Sequence, residues 1–312
     1  MDEPTPLGAQ VFAIDTRLSG HPGVTSAYVI AGSAPCLVET GTATSARDVV
    51  AGLAAVGIHA GDLATIVVTH IHLDHAGGVG HLAEAFPRAQ VVVHPAGARH
   101  LVDPSRLMGS ARRVFGDTVI DRVFGELVAT PADRVVALAD GDAVDLGDGR
   151  RLTAIDSPGH ARHHLGLLDS ATGDLYVGDA AGLWFAETDE VRPATPPPDF
   201  DLTAALRSLQ RFAETAATRL LFSHFGPALD PAGTLDRAAD ELRAWVDDVA
   251  ELHASAATPD LDHALTAVAG RDRERYAALR ADPQRAEDVE ALSSTAANLA
   301  GVWRWLDSQL AE

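Results

Sequence analysis

The chain has 312 residues, 46% hydrophobic and 22% charged, which is an ordinary globular composition and long enough for one large domain or a domain with an appendage. No run of about 18 apolar residues occurs, so no membrane-spanning helix is expected, and a net charge of -20 opposes binding to nucleic acid or anionic membranes. The single cysteine, Cys36, has no partner for an internal disulfide, and all 24 bases are arginine, which excludes Schiff-base and P-loop chemistry.

Taken in chain order, residues 10–16, 25–31 and 35–39 read as strands. A helical pattern over 44–56 stops at Gly57. Residues 65–68 form a β-branched strand that runs straight into a cluster of histidines. Residues 77–86 read as a helix and 90–94 as a strand. Over 95–131 alternation gives way to helical spacing of Leu101, Leu107, Val114, Phe115, Ile120, Val123, Phe124 and Leu127. Strands return at 135–138, 143–146, 151–156, 164–168 and 175–177, separated by Asp-Gly and Thr-Gly-Asp turns. Four prolines make 193–198 a loop; 201–214 is an amphipathic helix and 219–222 a last strand. After Pro231 the periodicity is helical over 234–252, 260–267 and 284–310, with breaks near Pro259, Gly270 and Pro283. The fold class expected from this order is α+β: two packed sheets with helices outside and a helical C-terminal extension.

The strongest chemical signal is Thr69-His70-Ile71-His72-Leu73-Asp74-His75-Ala76-Gly77-Gly78. Alternating residues of an extended segment share a face, so His70 and His72 can converge on one ion. The turn that follows can aim Asp74 and His75 at a second ion. Imidazole and carboxylate suit zinc first, with iron or manganese as alternatives. Three further motifs follow at strand ends. Ser157-Pro158-Gly159-His160 ends 85 residues after His75, Asp179 stands 19 residues later in Tyr176-Val177-Gly178-Asp179, and His224 45 residues beyond that in Ser223-His224.

In these four motifs, spanning residues 10–227, the sequence resembles the metallo-β-lactamase-fold hydrolases, and within them the glyoxalase II-like dinuclear branch. The resemblance implies a four-layer αβ/βα sandwich with ligands along one edge. It implies that His70, His72 and His160 hold one divalent metal ion, that Asp74, His75 and His224 hold a second, and that Asp179 bridges the two. An aspartate at 179 is what the glyoxalase II-like members have, where true β-lactamases carry cysteine or serine. Leu73 stands where the flavodiiron reductases carry a glutamate ligand. Glu39 stands where the family more often has aspartate, and it is expected to support a ligand from behind. His164 is expected to do the same, whereas His163 is expected to face solvent. The implied domains are 1–228 for the hydrolase fold, with 95–131 as an inserted helical cap, and 229–312 for the extension.

The activity expected is hydrolysis of a thioester, ester or lactone carbonyl by a water shared between the two ions and ionised toward hydroxide, with Asp74 orienting it. Phosphodiester hydrolysis on a small nucleotide or phosphoester is the alternative, followed by iron-dependent sulfur dioxygenation and by a binding protein without catalysis. The partner expected is a small-molecule acyl or phosphoester substrate, with no nucleic acid and no membrane; a homodimer is compatible. The acidic Met1–Pro4 lacks the features of a secretory leader, and with one cysteine a cytoplasmic location is expected.

Overall fold

The computed structural model describes residues 3–255, 261–278, 281, 287, 290 and 294–310. The first sheet takes seven strands in sequence order: β1 (Thr5–Gly8), β2 (Val11–Asp15), β3 (Ser26–Ile30), β4 (Cys36–Val38), β5 (Thr65–Val67), β6 (Gln90–Val93) and β7 (Val135–Ala137). Pairing is antiparallel as far as β4 and parallel from β4 to β7. Parallel neighbours need a crossover, and helices α1 (Ala46–Ala55) and α3 (Val79–Ala85) supply two of them; the short α2 (Leu73–Ala76) precedes α3.

The inserted segment folds as α4 (Pro95–Val102), α5 (Ser105–Phe115) and α6 (Asp117–Val119), the last continued by a wide turn over Ile120–Phe124. Residues 125–131 are not helical, which shortens the helical stretch expected from the sequence. Met108, Ala111 and Ile120 bury themselves against Leu73, with Leu107, Phe124 and Leu127 around them. The insertion therefore rests on the residue that separates His72 from Asp74.

The second sheet has the order β15-β14-β11-β10-β9-β8. Its strands are β8 (Ala143–Asp145), β9 (Arg151–Asp156), β10 (Leu165–Asp169), β11 (Asp174–Gly178), β14 (Arg219–Phe222) and β15 (Gly226–Ala228). Strands β12 (Leu183–Phe185) and β13 (Glu190–Arg192) form a separate ribbon, and α7 (Leu202–Glu214) carries the crossover to β14, which pairs parallel with β11. Then come α8 (Pro231–Ser255), α9 (Leu261–Arg275) and α10 (Thr295–Leu310).

The alternation of strand side chains builds the layers. Ile14, Val29, Leu37, Ile66 and Val91 pack on one side against Val49 and Leu53 of α1 and Leu82 of α3. On the other side Tyr28, Ile30, Val38, Val67 and Val92 meet Leu152, Leu165, Leu167, Tyr176 and Leu221 of the second sheet. Tyr28 and Tyr176 cross edge to face between the sheets, centroids 5.4 Å apart. The far face of the second sheet carries Leu175, Val177, Leu220 and Phe222 against Phe212 of α7 and Trp245, Val268 and Val302 of the C-terminal helices. The result is helix, sheet, sheet, helix.

Strands β1, β12, β13 and β15, each of three or four residues, are not among the strands expected from the sequence. The break expected near Gly270 is not there: α9 runs through it to Arg275, anchored by buried Ala264 and Val268. A single helical glycine costs only about 1 kcal/mol against alanine, which such packing outweighs. Of the helix expected over 284–310, the described residues show Thr295–Leu310, and most of 284–293 lies outside them.

Topology also sets the site. Strands β4 and β5 run the same way, as do β9, β11 and β14. Backbone bonds from Ser26 N–H to Ser223 O (2.8 Å) and from Leu165 N–H to Thr69 O (2.7 Å) tie the two sheets together at one edge. All the strand ends that carry the motifs open there.

Candidate metal centre

Beyond β5 the chain stays extended through His72, whose φ of -63° and ψ of 154° immediately precede α2. His70 and His72 therefore lie on the extended part, while Asp74 and His75 sit in a helical turn that swings them the other way. The turn closes only with glycine behind it: a Cβ on Gly77 would stand 2.2 Å from Leu73 O and 2.9 Å from Thr42 Cα. From the second sheet, His160 follows β9, Asp179 follows β11 and His224 follows β14. Gly178, with φ of 51°, makes the last bend before Asp179; a Cβ there would meet His164 Nε2 at 2.4 Å.

The seven residues meet in three overlapping groups with donor atoms within 4.8 Å: His70, His72 and His160; Asp74, His75 and His224; and His70, His75 and Asp179. In the first group His72 Nδ1 lies 3.0 Å from His70 Nε2 and 2.9 Å from His160 Nε2. In the second, His75 Nε2 and His224 Nε2 are 3.2 Å apart, with Asp74 Oδ2 at 3.6 and 3.4 Å. Asp179 divides its oxygens. Oδ1 faces His75 Nε2 at 3.3 Å and His224 Nε2 at 3.5 Å, and Oδ2 faces His160 Nε2 at 3.5 Å.

The outer hydrogen bonds decide which ring nitrogens are bare. Thr69 Oγ1 donates to Glu39 Oε1, a carboxylate that can only accept, so its lone pair takes the His70 Nδ1–H at 3.0 Å. His160 Nδ1–H donates to Ala194 O at 3.0 Å, and His224 Nδ1–H to Val24 O at 3.2 Å. His70 Nε2 and His160 Nε2 are then bare and both face His72 Nδ1, which carries at most one proton to share between them, so a cation between the three nitrogens would satisfy what one hydrogen cannot. Nitrogens on a tetrahedral zinc at about 2.0–2.1 Å stand roughly 3.3 Å apart, close to what is seen. Asp179 Oδ1 and His75 Nδ1 are buried and make no hydrogen bond among the described residues. The donor set fits divalent metal ions.

The electrostatics differ between the two groups. Burial, reinforced by neighbouring histidines, holds His70 and His72 well below the ordinary imidazole range, and burial lowers His160 as well, so the rings are neutral and ready to ligate. Burial also opposes charge on His75 and His224, but there Asp179 and Asp74 outweigh it. Burial would push Asp74 and Asp179 up; the surrounding histidines hold both below the usual carboxylate range.

Glu39 and His164 both stand behind ligand candidates rather than among them. Glu39, buried and left-handed at φ of 68°, accepts Thr69 N–H and Ser223 Oγ–H through Oε1, which also faces His75 Nδ1 at 3.6 Å. His164 accepts the Asp179 backbone N–H on Nε2 at 3.1 Å, so its Nδ1–H is the donor to Ser157 Oγ at 2.8 Å. His163 is only partly turned to solvent. It stacks over His70 with centroids 6.2 Å apart and accepts Ile71 N–H at 3.4 Å, and burial draws it down to about 4. The chain turns before β10 rather than running extended through His163, so strand alternation does not apply. Thr69, Ala194 and Val24 were missed as supporting groups. Thr69 was adjacent to His70 in sequence, but two of the three supports are backbone carbonyls, which no residue type announces.

Beside His160 and Asp179 a small cavity of about 20 Å³ lies toward the C-terminal helices, walled by Ala180, Pro193, Phe200, Leu209 and Leu242 among others. No described helix is long and apolar enough to cross a membrane.

A helix-sheet-sheet-helix sandwich that gathers histidines and aspartates from both sheets at one edge defines a metal-binding hydrolase fold. The chain belongs to the metallo-beta-lactamase superfamily, whose sequence profile matches residues 20–224. It is 34% identical over 165 residues to the metallo-beta-lactamase fold-containing protein ST1585 of Sulfurisphaera tokodaii, a match covering 52% of this chain and 60% of that one. The crystal structure of that archaeal protein overlays with a TM-score of 0.66 at 23% identity, covering 95% of this chain and 98% of that one, which shows the shared fold. The human acyl-coenzyme A thioesterase MBLAC2 is 35% identical over 126 residues, covering 36% of this chain and 39% of the thioesterase. A hydroxyacylglutathione hydrolase of a Synechococcus strain is 29% identical over 163 residues, covering 52% of this chain and 50% of the hydrolase. The chain thus spans between about two fifths and three fifths of the length of these curated relatives.

Proposed function

We propose that this chain is a dinuclear metal-dependent hydrolase acting on the carbonyl of a small thioester, ester or lactone, with thioesters first. The observation that carries the reading is Asp179, whose two oxygens face the two histidine groups separately. Two divalent cations, zinc in the first place, would supply an activated water and polarise the substrate carbonyl. His70, His72 and His160 would hold one cation; Asp74, His75 and His224 the other; Asp179 would touch both. Asp74 is the most exposed of the seven apart from His72, at 20% for its side chain. Its free carboxylate oxygen can accept a proton from the attacking water and orient its lone pair. Glu39, through Thr69, and His164, through the Asp179 backbone, hold the rings and the carboxylate at fixed angles, so that little reorganisation accompanies reaction.

The substrate class draws support from similar proteins. The relatives include an acyl-coenzyme A thioesterase and a hydroxyacylglutathione hydrolase, both by name thioester hydrolases. The inserted segment over 95–131 serves as the cap that selects the acyl group, because it rests on Leu73 at the rim of the centre. The test is a panel of thioesters, lactones and phosphodiesters offered to protein reconstituted with zinc, iron or manganese. Turnover of thioesters at least tenfold above phosphodiesters is expected. Preference for phosphodiesters sinks the acyl reading, and fewer than two ions bound per chain sinks the dinuclear one.

A further inference from the structure

The last helix of the chain reaches the centre through a strap, residues 192–195. Ala194 contributes the carbonyl that accepts His160 Nδ1–H at 3.0 Å. Its neighbours on both sides are tied to the C-terminal extension. Thr195 is fully buried; its N–H donates to Asn298 Oδ1 at 2.7 Å, and its Oγ1–H donates to Asn298 O at 3.0 Å. Thr195 Oγ1 also accepts Trp245 Nε1–H from α8 at 3.1 Å. Asn298 Nδ2–H in turn donates to Pro193 O at 3.3 Å. One amide side chain thus grips the residue before Ala194 and the residue after it. Arg192 adds bonds to Thr295 Oγ1 at 2.7 Å and to Asp272 at 3.4 Å. The fit leaves no room: a Cβ on Gly301 would stand 1.8 Å from Thr195 O.

The geometry points to Asn298 as a positioning residue for the candidate metal centre, acting through the Pro193–Thr195 strap on the His160 ring. A helix could be docked on this face by apolar contacts alone, as Leu299, Val302 and Trp303 already do. Asn298 does something those residues do not. Its acceptor meets the Thr195 N–H and its donor meets the Pro193 carbonyl, one in each peptide flanking Ala194, so the Ala194 carbonyl is held against sliding and rotation. Proline at 193 has no N–H with which to anchor itself. A carbonyl that fixes the tautomer and the angle of a ligand imidazole is the kind of outer partner whose loss typically costs about 10–100-fold in metal affinity. The extension therefore tunes one ion and not the other, since His224 is held from Val24 in the loop before β3. This inference rests on the dinuclear reading above.

The experiment is a competition titration of apo-protein with zinc against a chromophoric chelator, resolving two dissociation constants. His160→Ala and His224→Ala assign each constant to its ion. In Asn298→Ala the constant assigned through His160 should weaken by roughly tenfold, while the other changes less than about twofold. Val302→Ala removes packing from the same helix but no bond to the strap, and it should leave the ratio of the two constants unchanged. If Asn298→Ala does not fold, Thr195→Val removes only the hydroxyl bonds and should weaken the same constant in the same direction. In cobalt-substituted protein the visible bands of the His160 ion should shift alone. Equal loss at both ions, no loss at either, or the same selective loss in Val302→Ala overturns the role of Asn298. Wild-type protein that binds no zinc, or only one ion, overturns the dinuclear reading and not the strap.

Discussion

The two sheets contribute to the centre in opposite ways. The first sheet delivers four ligand candidates, His70, His72, Asp74 and His75, from one six-residue loop. The second delivers three, His160, Asp179 and His224, each from a different strand end. The contiguous loop is shaped locally by an extended segment, a helical turn and Gly77. The scattered set depends on the register of β9, β11 and β14, on the crossover α7 and on the strap at 193–195. A local loop keeps its shape when distant packing loosens; a scattered set does not. Damage to the C-terminal layer should therefore reach the centre through the second sheet.

Asp179 is where the difference should be largest. In Asp179→Asn the side chain loses its charge between the two histidine groups, and metal affinity at both ions should fall by more than about a hundredfold, beyond what the loss of an outer partner costs. Elemental analysis after dialysis checks this; two ions retained would break the claim that the second sheet supplies the shared ligand. Asp74→Ala, in the local loop, should leave thermal unfolding within a few degrees of wild type while turnover falls on the order of a hundredfold or more, because a misplaced nucleophile loses its orientation. Near-native kcat in a metal-replete variant refutes that role.

A smaller effect is expected one layer out. Glu39→Gln keeps the shape of the support behind His70 and His75 but removes its charge, and His164→Phe fills the space while releasing the Asp179 N–H and Ser157 Oγ. Each should weaken zinc binding roughly tenfold. Glu39→Gln should act on both ions, since Glu39 faces His75 directly and His70 through Thr69. Calorimetric zinc titration reads both, and no loss in either variant would show that the ligand loops hold themselves. The smallest effect on the centre should come from shortening 100–130: metal content unchanged, but relative kcat/KM across an acyl series shifted by several-fold. Unchanged ratios would show that the insertion is only structural.

Much of this molecule was legible before folding was considered. The four-layer order follows from strand alternation and helical spacing, and β9 and β14 stand at 151–156 and 219–222 as read. The His70–His75 loop announced itself because its ligands are neighbours in sequence. His163 was misread because strand alternation was extended across residues that turn, and α9 outran Gly270 because packing of Ala264 and Val268 outweighs one glycine.

Sequence alone thus indicated most of the elements and the chemical character of the candidate ligands, since both depend on residue type at short spacing. Tertiary structure alone decided which oxygen of Asp179 faces which histidine group. It decided that Glu39 serves His70 and His75 together, and that Asn298, 138 residues beyond His160, grips the strap holding that ring. The physical reason is that these relations run through backbone N–H and C=O groups, which every residue carries alike. Only the packing of two sheets and a terminal helix selects which of those identical groups meets a ligand.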